Sequence, residues 1–363
     1  MKIALPEYDV NIGSQRIPFL VYKNILEKTF SIQFVSYKKL GEADVVFVHS
    51  DLNSIKKLRR FNKTAKYIIF KPHQEIPLTS SGDNFLKRTV SFFRNLYSLI
   101  FKNRFRIYND NLKYADLIVS DTPRLNRFYN SKGYNSIYCP LIDYFDSKIE
   151  EKQRYNNKNN ETFNILYTGN LSHFKGNIKV FLKIISNSVI TKNKKIVLNC
   201  LTGISKKDIK THYYKGIKIV YEKYSLKKLK NLLFYCDLGW VPNRYMMSFL
   251  IDNPLIKLLF TNSTQYFDKI FLEKFSANAG RCILFAQYGI PFITNPNEES
   301  VLLFGKLSNF LFYETDEELT YLLQNYDNLR YRNNVRNKLI NNFNYLSFSK
   351  EQATKLYEAI ILS

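Results

Sequence analysis

Short apolar runs alternate with stretches of helical periodicity along the first third of the chain. Residues 2–5, 31–35, 44–49, 66–71, 117–120 and 135–139 have the length and composition of strands. "DVVFVH" and "KYIIFK" are apolar without alternation, as strands covered on both faces are. Helical spacing fills intervals such as 18–28 and 122–132. This rhythm predicts an α/β class with a mostly parallel, doubly wound sheet.

The rhythm stops at "SKIEEKQRYNNKNNET", residues 147–162, which is polar and aperiodic and reads as a linker. It then restarts. Strands are predicted at 163–167, 195–201, 216–221, 238–241, 291–294 and 310–313, with helices at about 178–188, 226–234 and 277–288. Helical patterns fill the chain after Asp316. The predicted organisation is an N-terminal Rossmann-like domain over 1–146, the linker, and a second Rossmann-like domain over 163–345. A final helix over 346–363 is expected to return to the first domain. Two such domains facing across a cleft would bind ligands at the carboxyl ends of their strands.

Composition narrows the function classes. The 363 residues are 45% hydrophobic and 16% aromatic, enough for two cores. The net charge of +23 favours an anionic partner: nucleic acid, a phosphorylated substrate or anionic lipid. Cys139, Cys200, Cys236 and Cys282 are widely spaced, which argues against a zinc site or a disulfide framework and fits a reducing cytoplasm. No window approaches the apolar length that spans a bilayer, so membrane contact is expected at the surface only.

The stretch "YTGNLSHFKGN", residues 167–177, carries the most specific chemistry. It follows a strand and reads as the loop before a helix. Gly169 lets backbone pass close to a ligand, a helix start offers free N–H groups to an anion, and Lys175 adds a full charge. His173 is a donor for phosphate or sugar. An ordinary turn explains the same glycines. The segment resembles the first loop of the second domain in bacterial glycosyltransferases of the GT-B fold, family-four type, where the pattern reads about "hG-[RN]-L-S-x-x-K-G". Gly169, Asn170, Leu171, Ser172, Lys175 and Gly176 stand in matching order. The resemblance implies that Lys175 contacts a donor diphosphate. Asn170 stands where an arginine is usual and is a neutral substitute.

Other segments are similar to the same family. "NIGSQRIP" after the first strand resembles its glycine loop, with Gly13 and Arg16 as donor-side candidates. His73, in "YIIFKPHQE", sits where the family places a histidine toward the transferred sugar. His73, Asp51 and Glu75 are the catalytic candidates, one of them a general base if the reaction inverts. "LEKFSANAGRCILFAQYGIPFITNPNEES" resembles "K.SaNR…A.a.GxPVI", which assigns Lys274, Ser276 and Asn278 to the nucleotide or its diphosphate. The two glutamates common in this segment are replaced by Ser276 and Leu284, leaving Glu298 or Glu273 as sources of a ribose carboxylate. Residues 243–272 look like an extension near the cleft, where it would shape acceptor choice.

The implied enzyme is a hexosyltransferase of capsule or O-antigen synthesis, with retention ranked ahead of inversion. It would take a nucleotide-sugar donor and a saccharide or polyprenyl-diphosphate-linked acceptor. No D-x-D follows a strand, so no metal or other cofactor is expected. Residues 86–106, "LKRTVSFFRNLYSLIFKNRFR", pair a basic face with an aromatic one. Lys87, Arg88, Phe93, Arg94, Tyr97 and Lys102 are the candidates for an anionic membrane surface, which makes the protein cytoplasmic and peripheral. Packing of that apolar face on the first domain is the other reading. The rivals are a nucleic-acid-binding protein, supported by charge but by no nucleic-acid module, an epimerase of the same fold, and a non-catalytic subunit.

Overall fold

A computed structural model describes residues 1–10, 16–49, 53–70, 111–142, 161–169, 171–188, 193–205, 208–242 and 278–363. Gly13, Asp51, His73, Glu75, the basic and aromatic segment 86–106, the linker to residue 160, Asn170, the stretch 243–272, Glu273, Lys274 and Ser276 lie outside the described residues. The chain divides into two units: Met1–Tyr144 with Tyr345–Ser363, and Phe145–Asn344.

The first unit is built on β1 (Lys2–Leu5), β2 (Gln33–Ser36), β3 (Val45–His49), β4 (Lys66–Phe70), β5 (Leu117–Ser120) and β6 (Ser136–Tyr138). All pair in parallel, in the order β2-β1-β3-β4-β5-β6. Val46, Val48, Ile68 and Ile69 are fully buried, as non-alternating apolar strands require. The helix expected over 18–28 opens with a π turn, Ile17–Val21, and continues as α1 (Tyr22–Thr29). A short helix, α2 (Ile55–Leu58), follows β3. In α3 (Pro123–Ser131) the Thr122 hydroxyl accepts from the Leu125 N–H at 3.1 Å and Pro123 fills the first turn.

The second unit has β7 (Thr162–Gly169), β8 (Lys195–Thr202), β9 (Lys210–Tyr214), β10 (Ile217–Lys223), β11 (Leu238–Val241) and β12 (Phe292–Thr294). Their order is β12-β11-β7-β8-β10-β9, parallel except for the β9–β10 hairpin. Strand β9 carries no burial pattern, which is why its sequence gives no strand signal. It forms because Lys215 and Gly216, at φ 45° and 83°, make the left-handed turn that twisted hairpins need. Residues 310–313 are not a strand. Ser308–Leu311 turns helically to bury Leu311, and one bridge, Phe312 to Thr294, replaces the expected pairing.

Helix α4 (Leu171–Ser186) starts seven residues earlier than its sequence reading. The cause is Phe174, fully buried against Tyr167 and Trp240 at centroid distances of 5.0 and 5.8 Å. With Ile178, Phe181, Leu182 and Ile185 it makes one apolar stripe, and that burial carries the helix through Gly176. The helices α5 (Leu226–Tyr235), α6 (Gly280–Gln287), α7 (Glu298–Phe304), α8 (Asp316–Tyr326) and α9 (Leu329–Asn342) complete this unit. Successive strand residues face opposite ways. Trp240 stacks on Phe181 of α4 at 4.0 Å, while an ideal Cβ on Gly239 would lie 2.5 Å from the Phe285 ring of α6. Helices α4 and α6 therefore cover opposite faces of the sheet, and Gly239 is what lets α6 sit close.

The last helix, α10 (Tyr345–Leu362), belongs to the first unit. It packs on α1, with the Phe30 and Tyr357 rings stacked at 4.2 Å and 7°. Lys66 Nζ donates to the carbonyls of Ile360 and Ile361 at 3.0 and 2.8 Å, satisfying the open end of the helix.

Candidate functional site

Each sheet has one place where consecutive connections leave in opposite directions. In the first unit it lies between β1 and β3, in the second between β7 and β11. Open α/β sheets bind ligands outside the carboxyl ends of strands at such points.

In the second unit this point is occupied by Arg281. It is the one charged residue of α6, whose Cys282 to Ala286 are all buried. Its guanidinium passes over the carboxyl edge of the sheet. Nη1 donates to the Thr168 carbonyl on β7 at 3.5 Å, and Nη2 to the Pro242 carbonyl after β11 at 3.4 Å. The cation lies 5.6 Å from the Tyr167 ring centroid. Both hydrogen bonds sit at the long end of the range, where they are weak.

Gly169 makes this approach feasible. Its φ is 147°, and an added Cβ would meet Arg281 Nη1 and the Tyr167 hydroxyl oxygen, each at 3.2 Å. The space beside Gly169, read from sequence as room for a ligand, is held by a guanidinium. In register with Gly169 on the next strand is Thr202. It is buried, and its hydroxyl makes no hydrogen bond among the described residues. Leu171 begins α4 two residues on, so His173 and Lys175 lie in its first turns rather than in a loop.

At the start of α6, the Asn278 carbonyl oxygen Oδ1 accepts from the Gly280 N–H at 3.2 Å. The Glu299 carboxylate accepts from the Ala279 N–H. Of the two adjacent acids in "NEES", Glu298 is exposed and Glu299 is buried. The carboxylate tied to this helix start is thus the neighbour of the one singled out in the sequence. Asn297 and Ser300 close a reciprocal cap around α7 that turns Glu299 inward.

Burial pushes the Cys282 thiol up to about 12, against the lowering effect of Arg281. Cys139 is raised likewise, to about 12. Cys200 is raised by burial as well. These thiols are neutral packing groups, not nucleophiles.

In the first unit, Arg16 is buried and donates from Nη1 to the Val10 carbonyl at 2.8 Å, closing the loop after β1. His49 ends β3, its ring 6.3 Å from Phe19. The loops after β1 and β3 thus flank the switch point of that sheet. Sequence reasoning missed Arg281 and Thr202. The signal for Arg281 was a lone cation in the first turn of an otherwise apolar helix. Thr202 has none, since its partnerless hydroxyl arises only from pairing.

No family model matches the sequence, and no curated protein matches it. Solved structures do. Sucrose-phosphate synthase from Thermosynechococcus elongatus is similar over 100% of both chains, at TM-score 0.54 and 10% identity. WaaG, a glycosyltransferase involved in lipopolysaccharide biosynthesis, is similar over 97% of this chain and 98% of its own, at TM-score 0.53 and 10% identity. An E. coli trehalose-6-phosphate structure bound with UDP-2-fluoro glucose covers 99% of each chain, at TM-score 0.52 and 10% identity. Likeness at this identity shows the fold: α/β, with two parallel-sheet domains of the GT-B kind.

Proposed function

We propose that the protein is a glycosyltransferase. It moves a hexose from a nucleotide-sugar to a saccharide or lipid-linked acceptor in bacterial surface polysaccharide synthesis. The observation that carries this reading is the Arg281 guanidinium at the switch point of the second sheet, beside Gly169 and the start of α4. A fork of N–H donors there suits a diphosphate. UDP-2-fluoro glucose bound in the E. coli structure, and the part of WaaG in lipopolysaccharide biosynthesis, support the substrate class.

In this reading Arg281 and Lys175 hold the donor phosphates. As the glycosidic bond to the leaving nucleotide lengthens, negative charge grows on its terminal phosphate oxygen. Fixed cations and helix N–H groups stabilise that charge more than they stabilise the ground state. The Thr202 hydroxyl is a further donor at the same edge. The acceptor falls to the first unit, with Gly13 in its loop and His73, Asp51 or Glu75 as the group that accepts the hydroxyl proton in an inverting reaction. Lys274, Ser276, Asn278 and Glu298 remain assigned to the nucleotide side.

Thermal-shift and calorimetric titration with UDP-, GDP-, CDP- and dTDP-sugars test this. At least one should bind, and Arg281→Gln should weaken it by about 10- to 100-fold, the worth of a charge-assisted bond pair. Lys175→Ala should weaken it too. Binding of none refutes the donor site; binding unchanged in Arg281→Gln refutes its assignment.

A further inference from the structure

Phe61 is 75% exposed on the surface of the first unit. It is not a frayed tip. The Phe61 N–H donates to the Leu58 carbonyl at 2.9 Å. Its neighbour Asn62 is buried, donating to the carbonyls of Leu40 and Ala43 at 2.9 and 2.8 Å and accepting from the Ala65 N–H at 3.0 Å. The loop is rigid and presents an aromatic ring to solvent.

Positive charge predominates in the segment that carries the ring. Residues 53–66, "NSIKKLRRFNKTAK", hold six cations and no acid. Lys56, Lys57, Arg60 and Lys63 are exposed, as is Lys113 just ahead of β5. The nearby acids are engaged. Asp44 accepts from the Lys2 N–H at 2.7 Å, Glu42 pairs with Lys2 Nζ at 3.3 Å, and Asp116 pairs with Arg59 at 2.7 Å while accepting from the Tyr67 N–H. Lys66 brings the end of α10 to the same edge, where Ile361 is 53% exposed, and Glu358 adds an exposed acid. This is the amino-terminal edge of the sheet, marked by Lys66 N–H on the Asp44 carbonyl and Asp44 N–H on the Lys2 carbonyl, both 2.9 Å. The switch-point loops leave from the opposite edge.

We propose that this edge docks on an anionic lipid surface, with Phe61 entering the headgroup boundary and Lys56, Lys57, Arg60 and Lys63 on the phosphates. An exposed aromatic ring on a fixed loop, flanked in sequence by exposed cations that pair with no acid among the described residues, matches that interface in both its apolar and its charged part. Docking there leaves the ligand edge clear. The inference meets the glycosyltransferase reading only in the lipid-linked acceptor, and vesicle binding requires no nucleotide, so the two fail separately.

The test uses the full chain with phosphatidylglycerol/phosphatidylcholine vesicles and with phosphatidylcholine alone. Sedimentation should show binding to the anionic vesicles only. Phe61→Ser, and separately Lys57→Glu with Arg60→Glu, should each lower partitioning by about tenfold or more. Phe61→Trp is the direct reporter, because the single native tryptophan, Trp240, is buried and contributes a constant background. Its emission should shift to the blue on adding anionic vesicles and be quenched by lipids brominated in the acyl chain. No vesicle binding, binding indifferent to these variants, or an unshifted Phe61→Trp spectrum with tight salt-dependent binding to duplex DNA would each overturn the proposal.

Discussion

Gly169→Ala isolates the role of the strand end next to Arg281. Two costs follow from the geometry. The φ of 147° is closed to side chains, a strain of about 1–3 kcal/mol. The new Cβ would lie 3.2 Å from both Arg281 Nη1 and the Tyr167 oxygen, so the guanidinium must move by a few tenths of an ångström. Tyr167 is fully buried and cannot yield as easily. The control is Gly216→Ala, in the same unit at φ 83° with nothing within 4 Å of the new atom. It carries backbone strain alone, about 1–2 kcal/mol. At about 2–4 °C per kcal/mol for a unit of this size, Gly169→Ala should lower the melting temperature by roughly 2–12 °C. Calorimetric scans measure that, and titration with the nucleotide-sugar or pyrophosphate measures the second effect. Gly169→Ala should weaken anion binding several-fold, while Gly216→Ala leaves it intact. If both variants cost the same stability and neither alters anion binding, the coupling of Gly169 to Arg281 is wrong.

Gly239→Ala should destabilise the second unit by about 1–3 kcal/mol, since its Cβ would overlap the Phe285 ring at 2.5 Å in a packed core. Gly203→Ala, with nothing within 4 Å, should not; urea midpoints compare the two. Asp327 supplies a pH dependence. Burial pushes its carboxyl up, but hydrogen bonds from Lys194 and Asn193 outweigh this and hold it below 3.8. A carboxyl lowered on folding contributes stability above its unfolded value and loses it as pH falls through its folded one. Asp327→Asn should therefore cost stability at neutral pH, and the difference from wild type should shrink on acidification below about pH 4, followed by denaturant melts at each pH.

The sheets were legible because parallel strands bury both faces and so carry continuous apolar runs, as in "DVVFVH". Among the described residues, eleven of the twelve strands were anticipated in place, give or take a residue or two. Strand β9 was not, because an exposed edge strand leaves no hydrophobic trace. The start of α4 was misplaced because Gly176 reads as a breaker locally, while Phe174 is fixed by packing on Trp240, 66 residues away in sequence. The candidate site was legible as a position after a strand, not as a set of side chains. Gly169 was visible as a glycine that must be close to something. That the something is Arg281, 112 residues later, depends on strand order, which periodicity does not encode. That Glu299 rather than Glu298 ties down the start of α6 was not legible, because which acid turns inward is decided by the cap formed by Asn297 and Ser300.

The return of α10 to the first unit has a consequence during synthesis. Met1–Tyr144 precede the second unit in the chain, yet the α1 surface and Phe30, on which Tyr357 stacks, lack that cover until the residues after Asn344 have been made. The second unit is contiguous and has its whole sequence available earlier. The first unit is thus completed only after the second has been made, and for that interval a chaperone or a neighbouring chain can compete with α10 for α1. A stop codon shortly before Tyr345 would leave the second unit intact and the first permanently in that waiting state.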